Sequence, residues 1–347
     1  MSAWRCPRPV LLAAVAAASL LLGAAAAGAW AWRALRAPHR DWQGGSVTVD
    51  LPRDLPAGTM LERLGRAGVV RHPALARAYV SLRGWDRELK AGEYRFERAA
   101  SILEILDRLR RGDVLLHAVT VPEGLTVGEV AQKVAEAGFA TLEDLLAAFR
   151  DTSRLPHPAP GATDLEGYLF PDTYAFPRGE RPEAIVDAML RRFAEVTGPG
   201  YAERARAHGL SVRQAVTLAS LIEKETGIPE ERALVSRVFH NRLARGMLLQ
   251  CDPTVAYAIR RSGRMVTRLL QADLKFPSSW NTYLAPGLPP GPICSPGQAS
   301  LLAAVNPAPG DELYFVAAPG GGHRFSKDLA SHERAVRVWR LYGRSSR

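Results

Sequence analysis

Hydrophobic positions take three textures along the chain. From Val10 to Trp32 they are unbroken, 23 residues without a charge. As a helix that run is about 35 Å long, enough to cross a bilayer. Trp30 and Trp32 lie where an interfacial aromatic belt would sit. A cleaved signal peptide is the rival reading, since small-residue patterns occur around Ala24 to Ala27; the length of the run favours an uncleaved anchor.

The second texture is periodic. Val47 to Val49 is followed by a turn-prone LPRDLPAG and then by Met60, Leu61 and Leu64 at helical spacing, stopped by Gly68. Val119 to Val121 is followed by a turn and by Val127, Val130 and Val134, stopped by Gly138. The segment Gly92 to Gly112 echoes Thr173 to Phe193 in the same way. Residues 47–195 thus read as a repeat with a period of roughly 70 to 80 residues, each unit strand, helix, strand, helix. Chance is the alternative, because VTV and a glycine-ended helix are common.

The third texture begins after a loop signal at Thr197 to Gly200. Helices come first, then a Gly- and Pro-rich stretch from Pro277 to Pro309, too interrupted for helix or long strand and expected to form an ordered loop wall. Leu313 to Ala317 reads as a strand and Lys327 to Tyr342 as a basic closing helix. The expected class is α+β in three parts: residues 1–40 a short cytoplasmic tail and transmembrane helix, 41–196 the repeat region, 197–347 a mixed α+β domain.

Charge changes the picture only by where it sits. The net charge of +10 suggests an anionic partner, yet Arg5, Arg8, Arg33, Arg36 and Arg40 precede the first acid, Asp41, and supply half of it. No basic, aromatic-interleaved face remains, so nucleic-acid binding is not expected. Because arginines flank both ends of the apolar run, charge does not orient it; a short inner tail with the large domain outside the cytoplasm is the simpler topology. Three cysteines exclude a disulfide scaffold. Cys6 precedes the apolar run, so a lipid anchor of the lipoprotein type is not expected.

Candidate chemistry centres on one helix. Ser211 to Gln214 fits a capping box, and a helix then runs to Thr226 with Gly227 as its stop. Pro229, Glu230 and Glu231 open the next. With Glu225 at zero on a 100° wheel, Leu218 falls at about 20°, Leu221 at about −40° and Ile222 at about 60°, so Glu225 continues the apolar stripe; Glu223 falls at about 160°. A carboxyl on a buried helix C-terminus is penalised when charged by desolvation and by the helix dipole, the conditions that make a general acid. The competing reading is an ion pair with Arg237 or Arg242. His240, His323 and His332 have no metal-ligand spacing, no HExxH pattern occurs and no phosphate loop follows a strand, so neither metal nor cofactor is expected.

EKET at 223–226, ERALVSRVFHNRL at 231–243, GMLLQCDPTVAYA at 246–258, NTYLAPGLPPGPICSPG at 281–297, YFVA at 314–317 and GGHRFS at 321–326, in that order, resemble the endolytic murein transglycosylase (YceG-like) family. The resemblance makes the doubled region LysM-like and implies that LEGYLFPDTY at 165–174 connects it to the catalytic part. It implies that Glu225 is the acid/base of a lytic transglycosylase acting on peptidoglycan glycan strands at the inner membrane, with glycan polymerases and transpeptidases as partners. Gln250, Asn281, Thr282 and Tyr283 offer hydrogen bonds and a ring face for a glycan, or stabilise the Pro-rich loop. Asp252 is the candidate second carboxylate, or a structural Asp-Pro turn. Cys251 and Cys294 either form a disulfide or remain buried thiols. A non-catalytic wall-binding scaffold is the alternative function.

Overall fold

A computed structural model describes residues 8–155, 157, 159–318 and 321–345. Cys6 and the first seven residues of the expected tail lie outside them. The chain divides into two compact units, residues 1–117 and 118–347.

The first unit begins with α1 (Arg8–Arg36), of which Leu12–Arg36 is long and apolar enough to cross a membrane. It continues through β1 (Val47–Leu51), α2 (Ala57–Arg66), α3 (Pro73–Arg83), β2 (Gly92–Phe96) and α4 (Ile102–Arg111). β1 and β2 pair antiparallel from Val47 opposite Phe96 to Leu51 opposite Gly92. That register sends Val49, Leu51, Tyr94 and Phe96 to one buried face, against Leu61 and Leu64 of α2, Val80 of α3 and Ile105, Leu106 and Leu109 of α4. Ser101 starts α4 with a complete capping box: its hydroxyl accepts from the Glu104 N–H while Glu104 accepts from the Ser101 N–H.

The second unit opens with β3 (His117–Thr120), α5 (Val127–Glu136), α6 (Leu142–Ala148), β4 (Thr173–Phe176) and α7 (Pro182–Thr197). β3 pairs with β4. Both segments of the expected repeat therefore have the order strand, helix, helix, strand, helix. The additional helices, α3 and α6, were not expected, because α6 is only seven residues long and α3 carries only two fully buried positions, Ala76 and Val80. The second segment does not close a core of its own: Ile185, Met189 and Phe193 of α7 share one with Leu218, Leu221 and Leu301. The expected boundary near Thr197 falls inside this unit.

The remainder is α8 (Tyr201–Ala207), α9 (Val212–Glu225), α10 (Arg232–Ala244), α11 (Asp252–Arg261), α12 (Gln298–Val305), β5 (Tyr314–Ala317), β6 (His323–Ser326) and α13 (Leu329–Ser345). α12 corrects the expectation that 277–309 contains no helix: after Gly297, eight residues without a proline supply Leu301, Ala304 and Val305 to the core. α9 is the central helix. Eight consecutive residues, Ala215 to Ile222, are buried on every side of it. The Ser211 and Gln214 capping box forms as expected, and the helix ends at Glu225.

Within LEGYLF, Glu166 is a buried carboxyl whose two oxygens accept from the Val127 N–H (3.0 Å) and the Tyr257 hydroxyl (3.1 Å). It ties the start of α5 to α11. Gly167 follows at φ +84°, where a Cβ would stand 2.5 Å from Pro292, so glycine is required twice over at this crossing.

Candidate active site

Two carboxylates close α9, and their surroundings differ. Glu223 has 8% of its side chain exposed, accepts from the Gly297 N–H at 3.0 Å and lies 3.7 Å from the Arg232 guanidinium. Its charge is compensated. Glu225 is half-buried and enters no ion pair among the described residues. The two arginines that sequence offered as partners are engaged elsewhere: Arg237 pairs with Glu312 at 2.9 Å, and Arg242 donates to main-chain oxygens.

The groups facing Glu225 act in opposite directions on its charge. The Cys251 thiol, at the start of α11, hydrogen-bonds to it. Burial raises the Glu225 pKa from the ordinary 4.5 to about 7; Asp252 adds to the rise, while the thiol, His323 and Arg242 oppose it. Cys251 itself is buried, and burial followed by the Glu225 charge pushes its pKa well up, so it stays a thiol and serves as a donor. Cys251 and Cys294 are both free, which decides between the two readings of the pair; Cys294 donates to the Ser220 carbonyl at 3.4 Å.

The turn that presents Cys251 is unusual. Gln250 has φ +55°, a left-handed conformation that non-glycine residues seldom adopt. Its N–H donates to the Thr282 carbonyl at 3.1 Å, and its side-chain oxygen accepts from Arg242 at 3.2 Å. The same Arg242 donates to Leu248 (3.1 Å), Leu249 (2.9 Å) and Leu313 (2.6 Å). One step later the Cys251 N–H donates to Thr282 Oγ1 at 2.9 Å, and the Cys251 carbonyl accepts from Thr254 Oγ1 at 2.7 Å.

The structure thus separates the other expected site residues into two groups. Asp252 is exposed in the first turn of α11, where the helix N-terminus favours its charge, and it accepts the Tyr283 hydroxyl at 2.5 Å. Gln250 is exposed beside it and Tyr283 half-buried. Asn281 and Thr282 are buried and occupied: Asn281 Nδ2 donates to the Leu274 and Phe276 carbonyls, both at 2.9 Å, and Thr282 holds the Gln250 turn.

Sequence reasoning left three contributors unassigned. Two are the Cys251 thiol and the Arg242 clamp. The third is a pair beyond the end of α9, where Glu231 accepts from the His323 N–H (2.7 Å), the His323 ring (2.6 Å) and Thr226 Oγ1 (3.2 Å). Burial works against the Glu231 charge, but these donors outweigh it and hold its pKa below the ordinary value, so the carboxylate accepts and His323 Nδ1 carries a hydrogen. The pair ties β6 to the residues just after Glu225. Only the GGHRFS block hinted at it in sequence.

Two rivals for the chemistry are weaker. Glu166 is pushed up to about 8 by burial and then by Asp164, but both of its oxygens are committed to structural donors. A hollow of about 1070 Å³ beside the N-terminus of α9 is lined by His208, Arg213, His240 and prolines without any carboxyl group. It holds no carboxyl that could act as the general acid.

An α+β chain with a half-buried, unpaired carboxyl near neutrality, a thiol donor on it and a hydrogen-bonded Tyr–Asp pair alongside is equipped for acid–base chemistry on a polar substrate. Residues 49–338 match the YceG-like family, and the chain belongs to that family. It is 31% identical over 319 residues to the endolytic murein transglycosylase of Streptococcus pneumoniae serotype 2 (strain D39), covering 84% of this chain and 58% of that protein. The chain therefore spans little more than half of that relative's length. It is also 31% identical over 312 residues to the endolytic murein transglycosylase of Bacillus subtilis (strain 168), covering 84% of each. The crystal structure of a YceG-like protein from Listeria monocytogenes superposes with a TM-score of 0.58 at 30% identity, covering 84% of this chain and 98% of that one.

The thiol makes the Glu225 titration testable. Cys251→Ala removes a donor that favours the charged form of Glu225, so the Glu225 pKa should rise and the alkaline limb of a pH–rate profile should move to higher pH; Cys251→Ser, which keeps a donor, should move it less. A profile that neither variant shifts would show that the thiol does not tune this carboxyl.

Proposed function

We propose that this chain is an endolytic peptidoglycan lytic transglycosylase, held at the membrane by α1 with its catalytic part outside the cytoplasm, and that Glu225 is its general acid and base. The observation that carries the reading is Glu225 itself: half-buried, without an ion-pair partner among the described residues, and raised to about 7. The murein transglycosylases to which the chain is similar add the substrate class.

In this reading the scissile β-1,4 bond joins N-acetylmuramic acid to N-acetylglucosamine. Protonated Glu225 gives its proton to the glycosidic oxygen as the bond from C1 to that oxygen breaks. The carboxylate so formed takes the proton of the muramic C6 hydroxyl as O6 bonds to C1. A 1,6-anhydro end results, no water is consumed and Glu225 is protonated again. One carboxyl suffices, where hydrolytic glycosidases use two. A pKa of about 7 suits a group that must lose and regain its proton within one turnover.

Gln250, Asp252 and Tyr283 line the glycan contact in this proposal, and Asn281 and Thr282 shape the loop that carries Tyr283. Residues 41–196 serve as a LysM-like glycan-binding region and 197–347 as the catalytic part. That is a division of labour, distinct from the division of packing at residue 117. Cutting nascent strands near the bilayer would terminate their elongation, which suits partnership with glycan polymerases and transpeptidases.

The test is to digest purified peptidoglycan with the full chain and weigh the sugar ends. Ends one water lighter than hydrolysis products are expected. Hydrated ends would instead mean a muramidase with Asp252 as second carboxylate, and glycan binding without any cleavage would mean a scaffold.

A further inference from the structure

The arginines on the outer flank of the apolar run have no part in that mechanism. α1 does not stop where its apolar run stops. It continues to Arg36, and Leu35 is already inside the core of the first unit. His39 and Ala100 exchange both main-chain hydrogen bonds, at 3.0 and 3.3 Å, and the Asp41 N–H donates to the Gly68 carbonyl at 3.0 Å. The unit is thus fastened to the helix without a flexible linker.

It also reaches back along it. The Trp30 ring lies 5.6 Å from the ring of His72, the residue that precedes α3. Trp30 is six residues before Arg36, which places this contact about 9 Å lower along the helix axis. A headgroup layer is roughly 5 to 8 Å thick on each side of the hydrocarbon. If Val10 to Trp32 spans the hydrocarbon, Trp30 lies about 3 Å inside its outer edge, so the turn at Arg71 and His72 stands at that edge, where a snorkelling arginine reaches the phosphates.

The side chains at that level fit such a place. Arg33, Arg36 and Arg71 are exposed, and none has an ion-pair partner among the described residues. The Arg36 guanidinium lies 4.3 Å from the Trp32 ring centroid, and Trp30 and Trp32 are 58% and 48% exposed. Indoles and guanidinium groups together form an interfacial set: the rings settle between hydrocarbon and water, and the planar donor forks match phosphate oxygens.

Resting on the reading of α1 as a membrane span, we infer that Arg33, Arg36 and Arg71 form a seat for anionic phospholipid headgroups that fixes the first unit upright on the bilayer. This accounts for arginines on both sides of the span, where charge on one side alone would have sufficed for orientation.

The test uses the full chain in phosphatidylcholine nanodiscs doped with a trace of photoactivatable lipid, either phosphatidylglycerol or phosphatidylcholine. After irradiation, peptides covering residues 66–78 are quantified by mass spectrometry. The phosphatidylglycerol probe should label them about fivefold more than the phosphatidylcholine probe, and Arg71→Ser should bring the ratio close to one. Equal labelling by the two probes in the unaltered chain, or labelling by neither while the chain sits in the disc, overturns the inference and leaves the anchor standing. A chain that does not enter discs at all overturns the anchor reading and the seat with it.

Discussion

Glu225→Gln is expected to lower the release of anhydro-ended glycan fragments by about two to four orders of magnitude, the range that a positioned proton donor supplies. The amide keeps the size of the side chain but neither gives nor takes the proton. In the unaltered chain the first step needs the protonated acid, so the rate constant should be full below about pH 7 and fall as pH rises through it. Stability runs in parallel. Because burial raises the folded pKa above the unfolded value of about 4.3, the stability contributed by this proton is fully present below about pH 4 and is lost progressively as pH rises to about 7. Glutamine is never ionised. The variant should therefore unfold at the same temperature as the parent or a higher one at pH 8, as measured by thermal denaturation, while its digestion products vanish. Parent-like cleavage by Glu225→Gln would remove Glu225 from the mechanism, and a cooperative loss of fold would make it a structural residue.

The partly buried setting of Glu225 at the end of α9 was legible in the sequence, but for a reason that is only partly right. The helical wheel set it on an apolar stripe and Glu223 on the opposite face, whereas α9 is buried all round and both carboxylates are largely enclosed. Their partners separate them. Arg232 and the Gly297 N–H compensate Glu223, and a thiol faces Glu225. Local signals were readable where their physics is local: the Ser211 capping box, the strands at 47 and 119 and the apolar span all lie within a few residues of their causes. Contacts set by packing were not. α12 is hidden in a proline-rich stretch because its eight residues are apolar without amphipathic spacing, the composition that a helix enclosed by α9 and α10 requires. The left-handed Gln250 carries no glycine or asparagine to betray it, since its conformation is imposed by Arg242 and Thr282.

That imposition leads to the second large effect, on stability. Arg242→Ala should destabilise the chain by about 3 to 5 kcal/mol, because it leaves three main-chain carbonyls, two of them buried, without their donor. The guanidinium lies 5.2 Å from the Tyr314 ring centroid and spans from Leu313, just before β5, to the 248–250 turn. Burial lowers its pKa, but arginine remains charged and its fixed fork serves four acceptors at once. Lysine cannot reproduce that geometry, so Arg242→Lys should recover little. The loss should also reach the chemistry before the chain unfolds. A left-handed non-glycine residue persists only where its surroundings over-determine it, and without Arg242 the Gln250 turn should relax and carry Cys251 and Asp252 away from Glu225. Urea denaturation and cleavage assays at low temperature, where the variant is still folded, separate the two effects. Adding Gln250→Gly to Arg242→Lys should then restore part of the stability, since glycine adopts this conformation without strain, but little of the activity, since Gln250 Oε1 and the fork that held the turn are both gone. Full activity in Arg242→Lys would show that the turn holds Cys251 in place without its clamp.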